Sequence, residues 1–167
     1  DVRAALIDVL AARRAKDAMP AFVVAAVDDA PKVRGAAMNA LGQIGAPDQL
    51  AAILPGILKA AKGGERDAAE KNVALVCARI DKEAPRAEAL IKALEAIPAS
   101  DRDQLLSLVG RVGGKKLIEY VGGIAKGDDA SRRKLAVEAL SKWPDASVSE
   151  MLREITEKAS EASERTA

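Results

Sequence analysis

The side chains that ordinarily carry acid–base and metal chemistry near neutral pH are scarce in this chain. Histidine is absent from its 167 residues. That excludes His-based general acid/base catalysis, Ser-His-Asp and Cys-His nucleophile systems, and every His-ligated metal site. Cys77 is the single cysteine, so no intramolecular disulfide can form. It lies in the run Val73-Ala74-Leu75-Val76-Cys77, on an apolar helical face, where a cysteine packs as a small hydrophobe. Carboxylates are plentiful, but each close pair falls at a turn or on a solvated face, which offers no burial to set one carboxyl against another. What remains is arginine: Arg3, Arg34, Arg102 and Arg133 occupy equivalent points of a recurring pattern. A planar guanidinium is suited to charge-assisted bonds between elements, so the chemistry these residues can do is cross-linking and recognition.

Those arginines recur because the elements beneath them recur. The segment from Pro31 to Gly45 serves as a template, with small or apolar positions 33, 36, 37, 40, 41 and 44 on one helical face. Four further copies align with it. Arg34 falls on Arg3, Glu70, Arg102 and Arg133, and Leu41 falls on Leu10, Cys77, Val109 and Leu140; successive copies are 31, 36, 32 and 31 residues apart. A second helix lies between consecutive copies and also repeats, with Leu50/Ile53/Leu54/Ile57/Leu58 matched by Met19/Phe22/Val23/Ala26/Val27 and by Leu117/Tyr120/Val121/Ile124/Ala125. Ala87/Leu90/Ile91/Leu94 and Val148/Met151/Leu152/Ile155 complete the series. Pro55-Gly56 aligns with Gly122-Gly123, which predicts a break at the same place in two of these helices.

Turn residues agree with this division. Asp28-Asp29-Ala30-Pro31 carries one helix into the next, Gly63-Gly64 and Gly113-Gly114 end two others, and Ser147 with Glu150 reads as a capping box for the last helix. No stretch alternates with period two for long enough to form a strand. The composition fits an all-α chain: alanine is roughly a fifth of the residues and only Phe22, Tyr120 and Trp143 are aromatic. Two helices per period of about 31 to 36 residues describe an α-solenoid.

The phrase Pro31-Lys-Val-Arg34, with Ala36-Ala37, Ala40-Leu41-Gly42 and Ile44-Gly45, resembles the inner helix of a HEAT repeat. The short period is similar to the compact HEAT-like class of the phycobilisome-lyase type. The resemblance implies about five HEAT-like helix pairs wound into a right-handed curved superhelix, a single domain over residues 1–167. The chain opens at Asp1 inside a helical pattern and reads as a fragment of a longer protein. Tetratricopeptide and ankyrin repeats have periods near this one, but their signature residues are missing.

The same resemblance assigns Arg3, Arg34, Arg102 and Arg133 to a structural ladder, each pairing with an acid near the inter-helix turn of a neighbouring repeat. Asp28, Asp29, Asp101, Asp128 and Asp129 are suitably placed. Glu70, at the Arg position of the third copy, would break the ladder or reverse its polarity. The inner helices of such a solenoid line its concave surface, and there positions 35, 39, 42 and 43 of the template point away from the core. Read along the stack, position 43 is Ala12, Gln43, Arg79, Arg111 and Lys142; position 35 includes Lys71 and Lys134, and position 39 includes Leu75. Gln43, Lys71, Arg79, Arg111, Lys134 and Lys142 are therefore the candidate partner-binding residues, with a basic stripe on the last three repeats.

These readings favour a non-catalytic protein–protein scaffold that needs no cofactor and binds a protein or peptide on its concave face, an acidic one being complementary to the stripe. The alternative is a nucleic-acid or phosphate backbone on the same stripe, against which stand the formal net charge of +1 and the shortage of aromatics. HEAT-like hydroxylases hold iron through histidine, which this chain lacks, and Trp143 sits at the core position equivalent to Ile44 rather than as a base platform. The longest apolar run, Ala21 to Val27, is too short to cross a bilayer, and no segment has signal-peptide anatomy. The apolar residues Val2, Leu6, Val9 and Leu10 make the first helix the stickier end, expected either to self-associate weakly or to be loosely held. The tail from Lys158 onward, rich in Ser and Glu, is polar enough to act as a modest cap.

Overall fold

A computed structural model describes residues 1–164, with side chains to residue 157, so the tail from Lys158 onward lies outside the described side chains. Eleven α-helices and no strand occur among the described residues. They are α1 (Val2–Ala12), α2 (Met19–Ala25), α3 (Pro31–Ile44), α4 (Leu50–Lys59), α5 (Gly64–Cys77), α6 (Glu83–Glu95), α7 (Ala99–Arg102), α8 (Leu106–Val112), α9 (Lys115–Ala125), α10 (Ala130–Leu140) and α11 (Ser149–Glu164). A 3₁₀ turn at Asp103–Leu105 joins α7 to α8, making one interrupted rod. The helices thus form five pairs.

They stack in two layers. The inner layer runs α1, α3, α5, α8, α10, each packed on the next, and the outer layer runs α2, α4, α6, α9 in the same order. The last pair closes where α11 meets α9: Met151 lies against Gly122, and Lys126 reaches Glu154 at 3.8 Å. The core is one continuous cluster between the layers, with Leu41, Val73, Cys77, Val109 and Leu140 buried from the inner side and Phe22, Ile53, Leu54, Leu90, Leu117 and Val121 from the outer. Sequence neighbours are spatial neighbours throughout, the geometry expected of a solenoid.

The helix ends follow from local chemistry. Asp1 accepts a hydrogen bond from the Arg3 backbone N–H at 3.0 Å, and Asp129 accepts from Ser131 and Arg132 at 2.8 and 3.0 Å, each satisfying otherwise orphan amides of a first turn. Gly113 and Gly114 turn α8 into α9 with φ of +67° and +108°, a conformation open mainly to glycine. The capping box expected from Ser147 and Glu150 does not form. Asp145 instead accepts from the Ser147 amide at 2.9 Å to open a 3₁₀ turn, and Glu150 pairs with Arg153. The expected breaks are also absent: α4 continues through Pro55 and α9 through Gly122-Gly123. Their glycines admit a neighbour instead, Gly56 facing Met38 and Gly122 facing Met151.

Candidate functional site

Two edges of the inner layer carry its charged chemistry. At the edge formed by the helix N-termini, each inner helix is tied to the next. Arg3 binds Asp28 through two bonds of 2.6 and 3.3 Å. Arg34 binds Glu65 at 2.8 and 3.1 Å. Arg66 reaches Gln104 at 3.3 Å, and Arg132 binds Asp103 at 2.8 and 3.1 Å. Four rungs therefore span all five inner helices. Only the first two use arginines of the expected ladder, and the acids they meet are Asp28 and Glu65.

The ladder arginines have a second task. Arg34 donates to the carbonyls of Asp28 and Asp29 at 2.8 and 2.9 Å, Arg102 to those of Ile97 and Glu95, and Arg133 to those of Gly127 and Asp128. Each one satisfies orphan carbonyls where the preceding outer helix ends. Arg102 and Arg133 thus bind backbone rather than the expected Asp101, Asp128 or Asp129 carboxylates. Burial differs sharply along the series: the Arg34 side chain is 8% exposed and that of Arg3 is 61% exposed.

At the third repeat the spacing of 36 residues exceeds the others by about four, one helical turn. That turn is added at the start of α5, and it carries Glu65, Arg66 and Asp67. Arg66 donates to the carbonyls of Leu58 and Ala60, so it performs the capping task that Glu70 cannot, and the series stays unbroken. Glu70 is left one turn further in, with its side chain only 3% exposed. It accepts from Ser107 at 2.7 Å, from Arg111 at 2.9 Å and from Lys142 at 3.4 Å. Asp67 binds Arg111 and, at 2.8 Å, Lys71, while Lys142 also meets the Ser107 hydroxyl. This network joins α5 and α8 to the turn after α10. Burial lowers the pKa of Arg111 from its ordinary value, and an arginine remains charged at neutral pH all the same.

The structure brings Lys71, Arg111 and Lys142 together in this network, at the middle of the stack. Arg79 stands apart, capping α3 by donating to the carbonyls of Gly42 and Gln43 at 2.6 and 2.8 Å. The Gln43 and Lys134 side chains are exposed and make no bond among the described residues. Gly42, placed by spacing on the open face, is buried because the Asn72 side chain of α5 lies against it. Leu75, from the same open face, is 56% exposed. Beside it an open cleft of about 530 Å³ runs between the C-terminal ends of α5 and α8 and the turn after α10, and a second of about 670 Å³ lies on the other side of the Glu70 network.

Sequence reasoning missed Glu65, Arg66, Asp67, Gln104, Asp103 and Arg132. The signal for the first three was the long third spacing, readable as an added turn. Cys77 is fully buried, and burial pushes its thiol up to about 12. Trp143 is buried beside Gly113 and Pro144, and its indole N–H finds no acceptor among the described residues. On the outward side of the first pair, Val2, Leu6, Val9 and Val24 are 85, 57, 47 and 72% exposed, because no described element packs there. Among the described residues no group of three or more Cys, Asp or Glu could hold a metal ion, and no helix is long and apolar enough to cross a membrane.

The comparisons with known proteins agree with the helix pairing. Residues 1–74 match the family model for HEAT repeats, which covers α1 to α4 and most of α5. No curated protein and no solved structure matches the chain. The same two-layer pairing continues through the remaining repeats without a change of packing order. Residues 1–74 thus match HEAT repeats, and the chain is folded as an all-α solenoid of HEAT-like helix pairs.

Proposed function

We propose that this chain is a non-catalytic module that binds a protein partner on the open side of its inner layer. HEAT repeats commonly mediate protein–protein interaction and are generally non-catalytic. The observation that carries the reading is the side of the inner layer turned away from the outer helices. It exposes Gln43, Lys71, Leu75, Lys134 and Lys142, spread over three of the five repeats and flanked by two open clefts. Surface of this kind offers area and charge without a reactive group, which suits recognition. A photo-cross-linking residue placed at Gln43 or Lys134 is expected to capture a protein. The same residue at Lys92 or Glu119, exposed on the outer helices α6 and α9, should not. Equal capture from both layers, or capture of nucleic acid with affinity falling steeply in salt, would overturn the reading.

A further inference from the structure

We infer that the cleft beside Leu75 is the recognition pocket of this module, and that its occupant is an acidic peptide segment presenting an apolar side chain between carboxylates. The inference rests on the protein-interaction reading above and adds to it the place and the chemistry of the contact.

The floor of the cleft is apolar. Ala74 and Leu75 come from α5, Ala78 from the residue that ends it, Val112 from the end of α8, and Pro144 from the turn after α10. Leu75 is the telling residue. It lies in the last turn of α5 on the inner layer, and its 56% exposure leaves most of a leucine in water with no described element to cover it. The rim is cationic: Lys71, Arg86, Arg111 and Lys142 all line the same cleft, and no acid does. Two carboxylates stand next to it, Asp67 and Glu70, and they engage Lys71, Arg111 and Lys142 between them. Arg86 donates only to the carbonyls of Ile80 and Asp81. Four cations against two carboxylates leave an excess of two positive charges around an apolar floor, in a chain whose formal net charge is only +1.

That combination selects its ligand. An apolar side chain seated on Leu75, Ala78 and Val112 removes exposed hydrocarbon from water, which supplies affinity. Carboxylates on either side meet Lys71 and Arg86 at the rim, which supplies orientation and a fast encounter. A phosphate backbone fits less well. No aromatic side chain lines the cleft to stack a base, and its apolar floor offers a run of phosphates nothing to bind.

The test uses the whole chain and fluorescence anisotropy with a short labelled peptide in which a leucine is flanked by glutamates and aspartates. Three comparison probes are the same peptide with glutamine and asparagine for the acids, the same peptide with serine for leucine, and an oligothymidine of similar length. The acidic leucine peptide is expected to bind, and each peptide change to weaken it by about tenfold or more. Leu75→Ser and Lys71→Gln should each weaken it comparably while leaving the thermal melt nearly in place, since both side chains are exposed and Asp67 keeps Arg111. Absence of binding by the acidic leucine peptide overturns the inference. So does binding indifferent to Leu75→Ser, or tighter binding of oligothymidine. If cross-linkers at Gln43 and Lys134 capture a protein while the peptide fails to bind, the pocket assignment falls and the interaction module stands.

Discussion

The guanidinium of Arg34 makes four bonds at once, two to the Glu65 carboxylate and two to backbone carbonyls, from a nearly dry position. Removing it strands an acid and two carbonyls together, so Arg34→Ala is expected to lower stability by about 3 kcal/mol. Arg3 occupies the equivalent point of the first helix and also grips a carboxylate, yet water reaches most of it. Arg3→Ala should cost under about 1 kcal/mol. Chemical denaturation of the two variants checks this directly. Equal losses would mean that the carboxylate bond, and not the burial, sets the contribution.

Among the elements, α5 and α8 depart furthest from the repeating plan. The added first turn of α5 moves the capping arginine to position 66 and frees Glu70 to face α8 and the turn after α10. Glu70→Ala leaves Arg111 and Lys142 without their shared acid and is expected to cost about 2–4 kcal/mol in a urea titration. Glu70→Arg, which restores the residue of the other repeats, should be at least as damaging, because it places a third cation against Arg111 and Lys142. A stabilised Glu70→Arg would show that the repeat pattern outweighs the local charge. The short α8 packs against α10 through Gly110, where a Cβ would run into the Ala139 carbonyl. Gly110→Ala is therefore expected to destabilise by about 1–3 kcal/mol. Gly35→Ala, mid-α3 with open space around it, should stabilise by about 0.5–1 kcal/mol. Melting temperatures of the pair should move in opposite directions.

For the molecule as a whole, the carboxylates at the inter-helix edge set the response to acid. The Ala30 amide and Arg3 hold Asp28 below its ordinary 3.8, Lys59 does so for Asp29, Arg34 holds Glu65 below 4.5, and Ser147 lowers Asp145. A carboxylate whose folded value is depressed contributes stability that is present above its unfolded pKa and lost as pH falls through the folded one. Stability should thus hold from about pH 8 to 5 and fall away below about pH 4, with no histidine to add a step between. A melt series over that range would show a near-neutral transition if some other group dominated. The first pair should also be the weakest part of the stack. Only Ile7 and Ala11 of α1 are buried, against eight residues of α3, so hydrogen exchange should reach the α1 amides well before those of α3. Equal protection would show the two helices opening as one unit.

The repeat itself was legible in the sequence, because helix pairing in a solenoid is local. Apolar spacing fixes which face of each helix is buried, and Pro, Gly and Asp at the turns fix where each helix starts. The paired layers followed, and so did the exposed place of Leu75. The partners of the charged residues did not follow, because a guanidinium or a carboxylate spans several ångströms and meets whatever the next repeat brings within reach. Arg34 could have met Asp29, yet Lys59 holds Asp29 and the added turn of α5 presents Glu65. Gly42 looked like open surface until α5 laid Asn72 across it, and Glu70 looked like a broken rung until Arg66 took its place. Periodicity determines which elements exist and which way they face; only their stacking decides which polar groups end up buried, and therefore which must be paired.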